Sequence, residues 1–210
     1  MDQAEIARLL RLYAEIGARQ LELTSIYIDI LLKWNSKINL SAIREPDEIV
    51  CRHFGESFFV AAQLITNGWR GAVIDVGSGA GFPGLPIAIY SPGAAVTLIE
   101  SQGKKAAFLN EVIFALGLKN AKVFRGRAEE FSGSVDLVTL RAVEKFSEVL
   151  PAAEVLARAG GRLALMIGSS QVAEAKQVSV RVDWQDPVQV PGGKSRVLLM
   201  GTKMVNRESA

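Results

Sequence analysis

The stretch from Val73 to Gly84, VIDVGSGAGFPG, constrains the fold more than any other part of the chain. Branched apolar residues and an aspartate run directly into four glycines within eight positions, Gly77, Gly79, Gly81 and Gly84. A short apolar run bounded by turn residues reads as a buried strand. Glycine then lets the backbone turn sharply and approach a ligand with no Cβ in the way. The pattern predicts a strand that ends in a loop built for close contact.

The rest of the chain supplies the setting. After about Gly71, short apolar runs alternate with helical patterns: AVIDVG then PGLPIAIY, AVTLIE then KKAAFLNEVIFALG, then AKVFRG, VDLVTLRA, a helix from about Glu148 to Arg158, and GRLALMIG. Strands alternating with helices predict a mostly parallel sheet covered on both faces. VDWQDPVQV and SRVLLMGTK, on either side of Pro191-Gly192-Gly193, predict a C-terminal antiparallel hairpin. The first part of the chain differs. Ile6, Leu9, Leu10, Tyr13 and Ile16 recur at helical spacing, and a second helical pattern runs from Leu21 to Trp34. A turn at Glu45-Pro46 and a short helix after Asp47 follow. The expected architecture is α/β, a Rossmann-like sheet with an N-terminal helical extension over residues 1–60 and the main domain over 61–210.

In open α/β sheets, ligands bind beyond the carboxyl ends of the strands, where strand order switches. The strand after the glycine loop ends in Glu100, 23 residues beyond Gly77. A carboxylate there can accept both hydroxyls of a ribose, so the ligand is expected to contain a nucleoside. A dinucleotide frame, G-x-G-x-x-G, matches Gly79, Gly81 and Gly84, but it begins two residues late and Pro83 breaks it. The frame Asp75-x-Gly77-x-Gly79-x-Gly81 starts at the strand end and carries an acid. A carboxylate opposes phosphate at that place and suits a cationic amino group. S-adenosylmethionine has no phosphate and carries two cationic centres, and is the cofactor this frame predicts.

Net charge is +2, which by itself names no partner. Its distribution is more informative: between Gln102 and Arg127, Lys104, Lys105, Lys119, Lys122, Arg125 and Arg127 face only Glu111 and no other acid. Two readings are open, a solvated helix surface and a basic rim for nucleic acid. One cysteine, Cys51, excludes an internal disulfide, and one histidine offers no metal-ligand spacing. No apolar run approaches the roughly 18 residues needed to cross a bilayer, and the N-terminus does not read as a secretory signal. These features predict a soluble, cytoplasmic protein without a structural metal.

The motifs LLKWNSKINLSAI, REPDEIVCRHFGES, VIDVGSGAGFPGLPIAI, LIESQGKKAAFLNEV, GRAEEF and DLVTLRAV resemble those of the RsmG family, also called GidB, the 16S rRNA guanine-N7 methyltransferases. The resemblance runs from about Leu31 to Gly168, with a further match at VPGGKSRVLL. It implies a class I S-adenosylmethionine-dependent methyltransferase sheet and a 16S rRNA substrate, free, in the 30S subunit or in an assembly intermediate. Oligomeric state is open, with a monomer the default, and no membrane partner is expected. By the family pattern the cofactor contacts fall on Gly77, Phe82, Glu100, Ser101, Ala128, Glu129 and Arg141, and the glycine frame adds Asp75 and Gly79. The RNA contacts fall on Arg52, His53, Lys104 and Arg127, with Arg127 and Arg141 nearest the chemistry. Three partners are open for Arg141: the cofactor carboxylate, an RNA phosphate, and Glu144. For His53, a structural hydrogen bond and a role beside the site are both open. One departure stands out. Where the family pattern has lysine-glycine after the fifth strand, this chain has Ile167-Gly168. That removes one expected RNA contact, for which Lys145 or Arg162 would be the substitutes.

The residues also limit the chemistry. Cys51 lies in no catalytic setting and reads as packing, against a covalent route to pyrimidine C5. Thr139-Leu140-Arg141-Ala142 stands where an enzyme of exocyclic amines would carry Asn-Pro-Pro-Tyr or Asp-Pro-Pro-Tyr. Guanine N7 bears a lone pair and no proton, so direct displacement there needs no general base. The alternatives are an RNA-binding protein that keeps the cofactor fold without turnover, favoured by Ile167, and an NAD-dependent oxidoreductase.

Overall fold

The structure is a computed structural model and describes residues 1–65, 70–142 and 146–205. Helices α1 (Gln3–Leu10), α2 (Ala18–Asn35) and α3 (Pro46–Ile49) lead into a single π-helical turn, Val50–Gly55, which continues into α4 (Glu56–Leu64). The sheet strands are β1 (Ala72–Val76), β2 (Ala95–Glu100), β3 (Ala121–Arg125), β4 (Val135–Arg141), β5 (Ala157–Gly168), β6 (Val182–Trp184), β7 (Val188–Gln189) and β8 (Arg196–Lys203). Helices α5 (Gly84–Tyr90), α6 (Gly103–Leu116), α7 (Phe146–Leu156) and α8 (Val172–Val178) connect them. Strand order is β3-β2-β1-β4-β5-β8-β6, with β7 also paired to β8. The first five strands run parallel, and β8 runs antiparallel to β5, β6 and β7. The α/β class and the antiparallel C-terminal strands are as the sequence predicts. The insertion of β8 between β5 and β6 is additional.

The apolar strands fill both faces because successive side chains point to opposite sides. Val73, Leu98, Leu137, Ala164, Met166 and Leu198 join one core, with α4, α5 and α6 and the N-terminal helices. Ile74, Val76, Ile99, Val138, Leu140, Leu165, Ile167, Val197 and Leu199 join the other, under α7 and α8. The helical extension shares its core with the sheet. Helix α2 packs against α5 and α6, and α4 against α5. Residue 60, the expected boundary of the extension, falls inside α4.

An aromatic cluster fastens this packing. The Tyr27 ring lies parallel to Phe82, with centroids 5.4 Å apart, and meets Phe54 edge-on at 5.0 Å. Trp34 on α2 donates from Nε1 to Glu111 on α6 at 3.0 Å. Helix α2 therefore reaches the glycine loop directly, and the site is assembled on both parts of the chain.

Candidate active site

Strand order reverses direction at β1, with β2 on one side and β4 on the other, and the glycine loop leaves β1 at that point. Gly77, Gly79 and Gly81 have φ of 65°, 56° and 88°, in the left-handed region that only glycine adopts without strain. At Gly81 space is also limiting: a Cβ would run into the Tyr27 hydroxyl, which donates to Ala80 O at 2.5 Å. The loop is held from the far side by Glu100 at the end of β2. Its Oε2 accepts from Gly79 N at 2.9 Å and its Oε1 from Gln102 N at 2.7 Å. Each carboxylate oxygen retains a second lone pair for a ligand hydroxyl.

A cavity of about 470 Å³ opens above these strand ends. Its floor is Gly77, Ser78, Gly79, Ala80 and Phe82; one wall is Glu100, Ser101, Gln102 and Lys105; a second is Gly126, Arg127, Ala128 and Glu129; and Leu40, His53, Arg141, Ala142 and Val149 complete it. Glycines that leave the floor bare, a carboxylate with free lone pairs and the small side chain of Ala128 fit S-adenosylmethionine. Glu100 and the loop would hold the nucleoside and Phe82 would lie beside the methionine part.

The opposite wall comes from the π-turn. Its looser winding is a frequent feature of functional sites, and here it turns carbonyls toward β4. Arg141 donates through Nη2 to Arg52 O at 2.5 Å and to Glu56 Oε2 at 3.0 Å, and through Nη1 to His53 O at 3.4 Å. Burial, set against the nearby Glu56 carboxylate, pulls the Arg141 guanidinium down to about 10, so it stays charged at neutral pH. Glu56 is almost fully buried and also forms an ion pair with Arg196. His53 contacts Ser41 Oγ through Nε2 at 2.7 Å and stacks on Phe82 with centroids 4.7 Å apart. Burial and the cations of Arg141, Arg52 and Arg196 push its imidazole down to about 3. His53 is therefore neutral under physiological conditions.

Most of the expected site residues meet in this cavity: Gly77, Gly79, Phe82, Glu100, Ser101, Ala128, Glu129, Arg127, Arg141 and His53 all line it. Three do not. Asp75 is fully buried beneath the loop, where Oδ1 accepts from Thr139 Oγ1 at 2.7 Å and Oδ2 from Gly84 N at 3.2 Å. Its carboxylate ties β1 to β4 and to the start of α5 rather than meeting a ligand. Burial raises it to about 6. Lys104 is exposed outside the wall, and its neighbour Lys105 lines the cavity instead. The Arg52 side chain pairs with Glu48 at 2.8 Å, and its carbonyl serves Arg141.

The ion pair of Arg141 is to Glu56, 85 positions away, a partner that no local pattern announces. Glu144 and Lys145, considered as a partner and as a substitute cation, lie outside the described residues. Ile167 is 5% exposed and belongs to the core under α7 and α8. Its apolar side chain suits that place. Leu40, Ser41, Glu56, Lys105 and Arg196 were not anticipated. Of these, Lys105 carried a signal, its place in the basic segment.

The profile described as GidB, rRNA small subunit methyltransferase G, matches residues 20–196. A ribosomal RNA small subunit methyltransferase G from Roseiflexus castenholzii is 36% identical over 93% of this chain and 88% of its own. One from Streptococcus pyogenes is 33% identical over 90% of this chain and 85% of its own. Among solved structures, an S-adenosylmethionine-dependent methyltransferase from Aquifex aeolicus superposes with a TM-score of 0.62 at 19% identity, over 80% of this chain and all of that one. P. horikoshii TYW2, solved with MeSAdo, superposes with a TM-score of 0.57 at 20% identity, over 70% of this chain and 61% of that one. These two show the sheet and its helices to be those of a methyltransferase fold. The nicotinamide reading falls with the match of profile and relatives. On the match of profile and relatives, over most of its length, the chain belongs to the rRNA small subunit methyltransferase G family.

Proposed function

We propose that this protein methylates N7 of one guanine in 16S rRNA, with S-adenosylmethionine as the donor. The observation that carries this reading is the composite cavity. The glycine loop and Glu100 form one side, the neutral His53 and the π-turn form the other, and the basic residues Arg127 and Lys105 stand in its walls. S-adenosylmethionine, when bound, supplies an electrophilic methyl group. The protein's part is alignment and exclusion of water.

Glu100, fixed by two backbone N–H groups, holds the donor's ribose side in place. Phe82, stacked between Tyr27 and His53, forms a rigid surface beside the reacting centre. Arg141 fixes the π-turn and so the position of His53. Guanine N7 carries no proton, and His53 at about 3 is too weak a base to take one. Attack by N7 needs no general base, so a neutral His53 in the wall is compatible with it. Arg127, exposed at the cavity wall, faces RNA phosphate. The N7 edge of duplex RNA lies in a deep, narrow groove, which favours an exposed loop of the 30S subunit or of an assembly intermediate as substrate. Such an enzyme works in the cytoplasm, as a monomer.

The test is transfer of labelled methyl groups to 30S subunits and to stripped 16S rRNA from a strain lacking the mark, followed by nuclease digestion. Label in 7-methylguanine is the expected result. Label in another base, or none while the donor binds, overturns the reading.

A further inference from the structure

Among the described residues, the ring of His53 is hydrogen-bonded to a single side chain. Arg141 holds the backbone of the π-turn through the His53 carbonyl, but the imidazole has contacts of its own. Nε2 meets Ser41 Oγ at 2.7 Å, Nδ1 is buried without a hydrogen-bond partner, and the ring stacks on Phe82. Ser41 is in turn held by Asn35, the last residue of α2, which is buried. Asn35 Oδ1 accepts from Leu40 N and from Ser41 N, each at 3.0 Å, and its Nδ2 donates to Ser41 O at 3.0 Å. The Asn35 carbonyl accepts from Arg44 Nη1 at 3.1 Å. One residue thus ties the chain from 36 to 44 back onto the end of the helix.

The clamp brings two side chains to the cavity. Leu40 lines it directly, and Ser41 fixes the ring of His53, which lines it next to Phe82. An amide suits this clamp because it offers an acceptor and a donor on one planar group. An aspartate would lack the donor for Ser41 O. The same network places the proton of the ring. Ile43 N donates to Ser41 Oγ at 3.1 Å, and the hydroxyl keeps one hydrogen, for which Nε2 is the acceptor. The neutral imidazole is thereby assigned its proton on Nδ1. Helix α2 in this way holds both rings that stack on Phe82. Tyr27 belongs to the helix itself, and His53 is reached through Asn35 and Ser41.

We propose that Asn35 is a positioning residue for the methyl-transfer step, which presents Leu40 to the cavity and, through Ser41, holds the His53 ring flat against Phe82. This rests on the RNA-methylation reading. Asn35 stands outside the cavity lining. It acts by keeping one wall in the geometry that aligns the incoming base with the methyl group.

His53 is the one histidine of the chain, so nitrogen-15 NMR of its ring reads the clamp directly and without RNA. The proteins compared are wild type, Asn35→Ala, Ser41→Ala, Ser41→Thr and the Asn35→Ala/Ser41→Ala double variant. Donor affinity is measured by calorimetry, and transfer to saturating 30S subunits lacking the mark in single turnovers. Wild type is expected to show one neutral tautomer, with Nε2 unprotonated. Both alanine variants are expected to average the two ring nitrogens, to keep donor affinity and to lose roughly tenfold in transfer rate. Ser41→Thr, which keeps the hydroxyl, is expected to behave as wild type. The double variant is expected to lose no more than the worse single one, because the two residues act in series. A merely structural Asn35 would lower the melting temperature and leave the ring signals and the rate of folded protein unchanged, which overturns the proposal. Additive losses in the double variant, or averaged ring signals with a wild-type rate, overturn it as well. If Asn35→Ala fails to fold, Asn35→Asp, which keeps the two acceptor bonds and loses the donor, takes its place. A ring held as expected in wild-type protein that methylates no RNA would refute the underlying function instead.

Discussion

The hydroxyl of Tyr27 lies under the glycine loop and donates to Ala80 O from a fully buried ring. Tyr27→Phe leaves that carbonyl without its donor, which costs about 1–3 kcal/mol. The variant is expected to unfold at lower urea and to bind S-adenosylmethionine severalfold more weakly, by denaturation and calorimetry. His53 gives a pH signature. Its folded value of about 3 lies below the ordinary 6.5, so the folded state binds fewer protons than the unfolded state between those limits. Stability is therefore lost as pH falls below about 6.5. His53→Gln removes this loss, and the stability difference between wild type and variant is expected to change by up to about 1.4 kcal/mol per pH unit on the acid side. Asp75 acts in the opposite sense. Its folded value of about 6 exceeds the ordinary 3.8, so its contribution falls as pH rises between the two and is constant above. Asp75→Asn is expected to gain relative to wild type over that interval, in the same denaturation series. Ile167→Lys places a charge in an apolar core and is expected to destabilise by about 2 kcal/mol or more, with no gain in methyl transfer. Full stability together with faster transfer would show that the lysine reaches the RNA after all.

At the scale of elements, α5 docks on β1 and β2 so closely that only glycine fits at its start. A Cβ at Gly84 would lie 2.8 Å from Asp75 Cβ and would overlap Leu98. Gly84→Ala is expected to cost about 1–3 kcal/mol and to weaken donor binding by tilting the loop, as thermal melting and calorimetry would show. The strands and helices of the sheet were legible because their periodicities are local: AVIDVG and AVTLIE are apolar on both faces, and KKAAFLNEVIFALG repeats at helical spacing. The glycine loop and Glu100 were legible for the same reason, one being a contiguous motif and the other the end of a strand. The π-turn was not, because Val50–Gly55 has the composition of ordinary helix and the partner of its carbonyls, Arg141, comes from across the fold. The bond from Thr139 to Asp75 was not legible either, because a strand end is local information and Thr139 lies in a neighbouring strand. Glu56 and Arg196 were missed because ion pairs across the fold leave no trace in sequence spacing.

At the scale of the molecule, the N-terminal helices and the sheet share one core: Ile6, Leu10, Tyr27, Leu31, Phe54 and Phe58 cluster with Leu85, Leu98 and Phe108. Residues 61–210 produced alone would expose that surface. They are expected to lack cooperative unfolding and donor binding, while the full chain melts in a single transition by calorimetry. The separation into extension and domain that the sequence suggested by texture is thus one of pattern, with the cavity built from both sides of it. The place of β8 has a consequence for how the chain is made. This strand lies between β5 and β6, yet it is the last of the described strands to be synthesised. Until it emerges, β5 keeps an open edge and β6 and β7 have no strand to pair with, so a growing chain carries unpaired backbone groups of the kind that recruit other strands. A chain truncated before Arg196 is therefore expected to aggregate where the full chain stays dispersed, as light scattering would show.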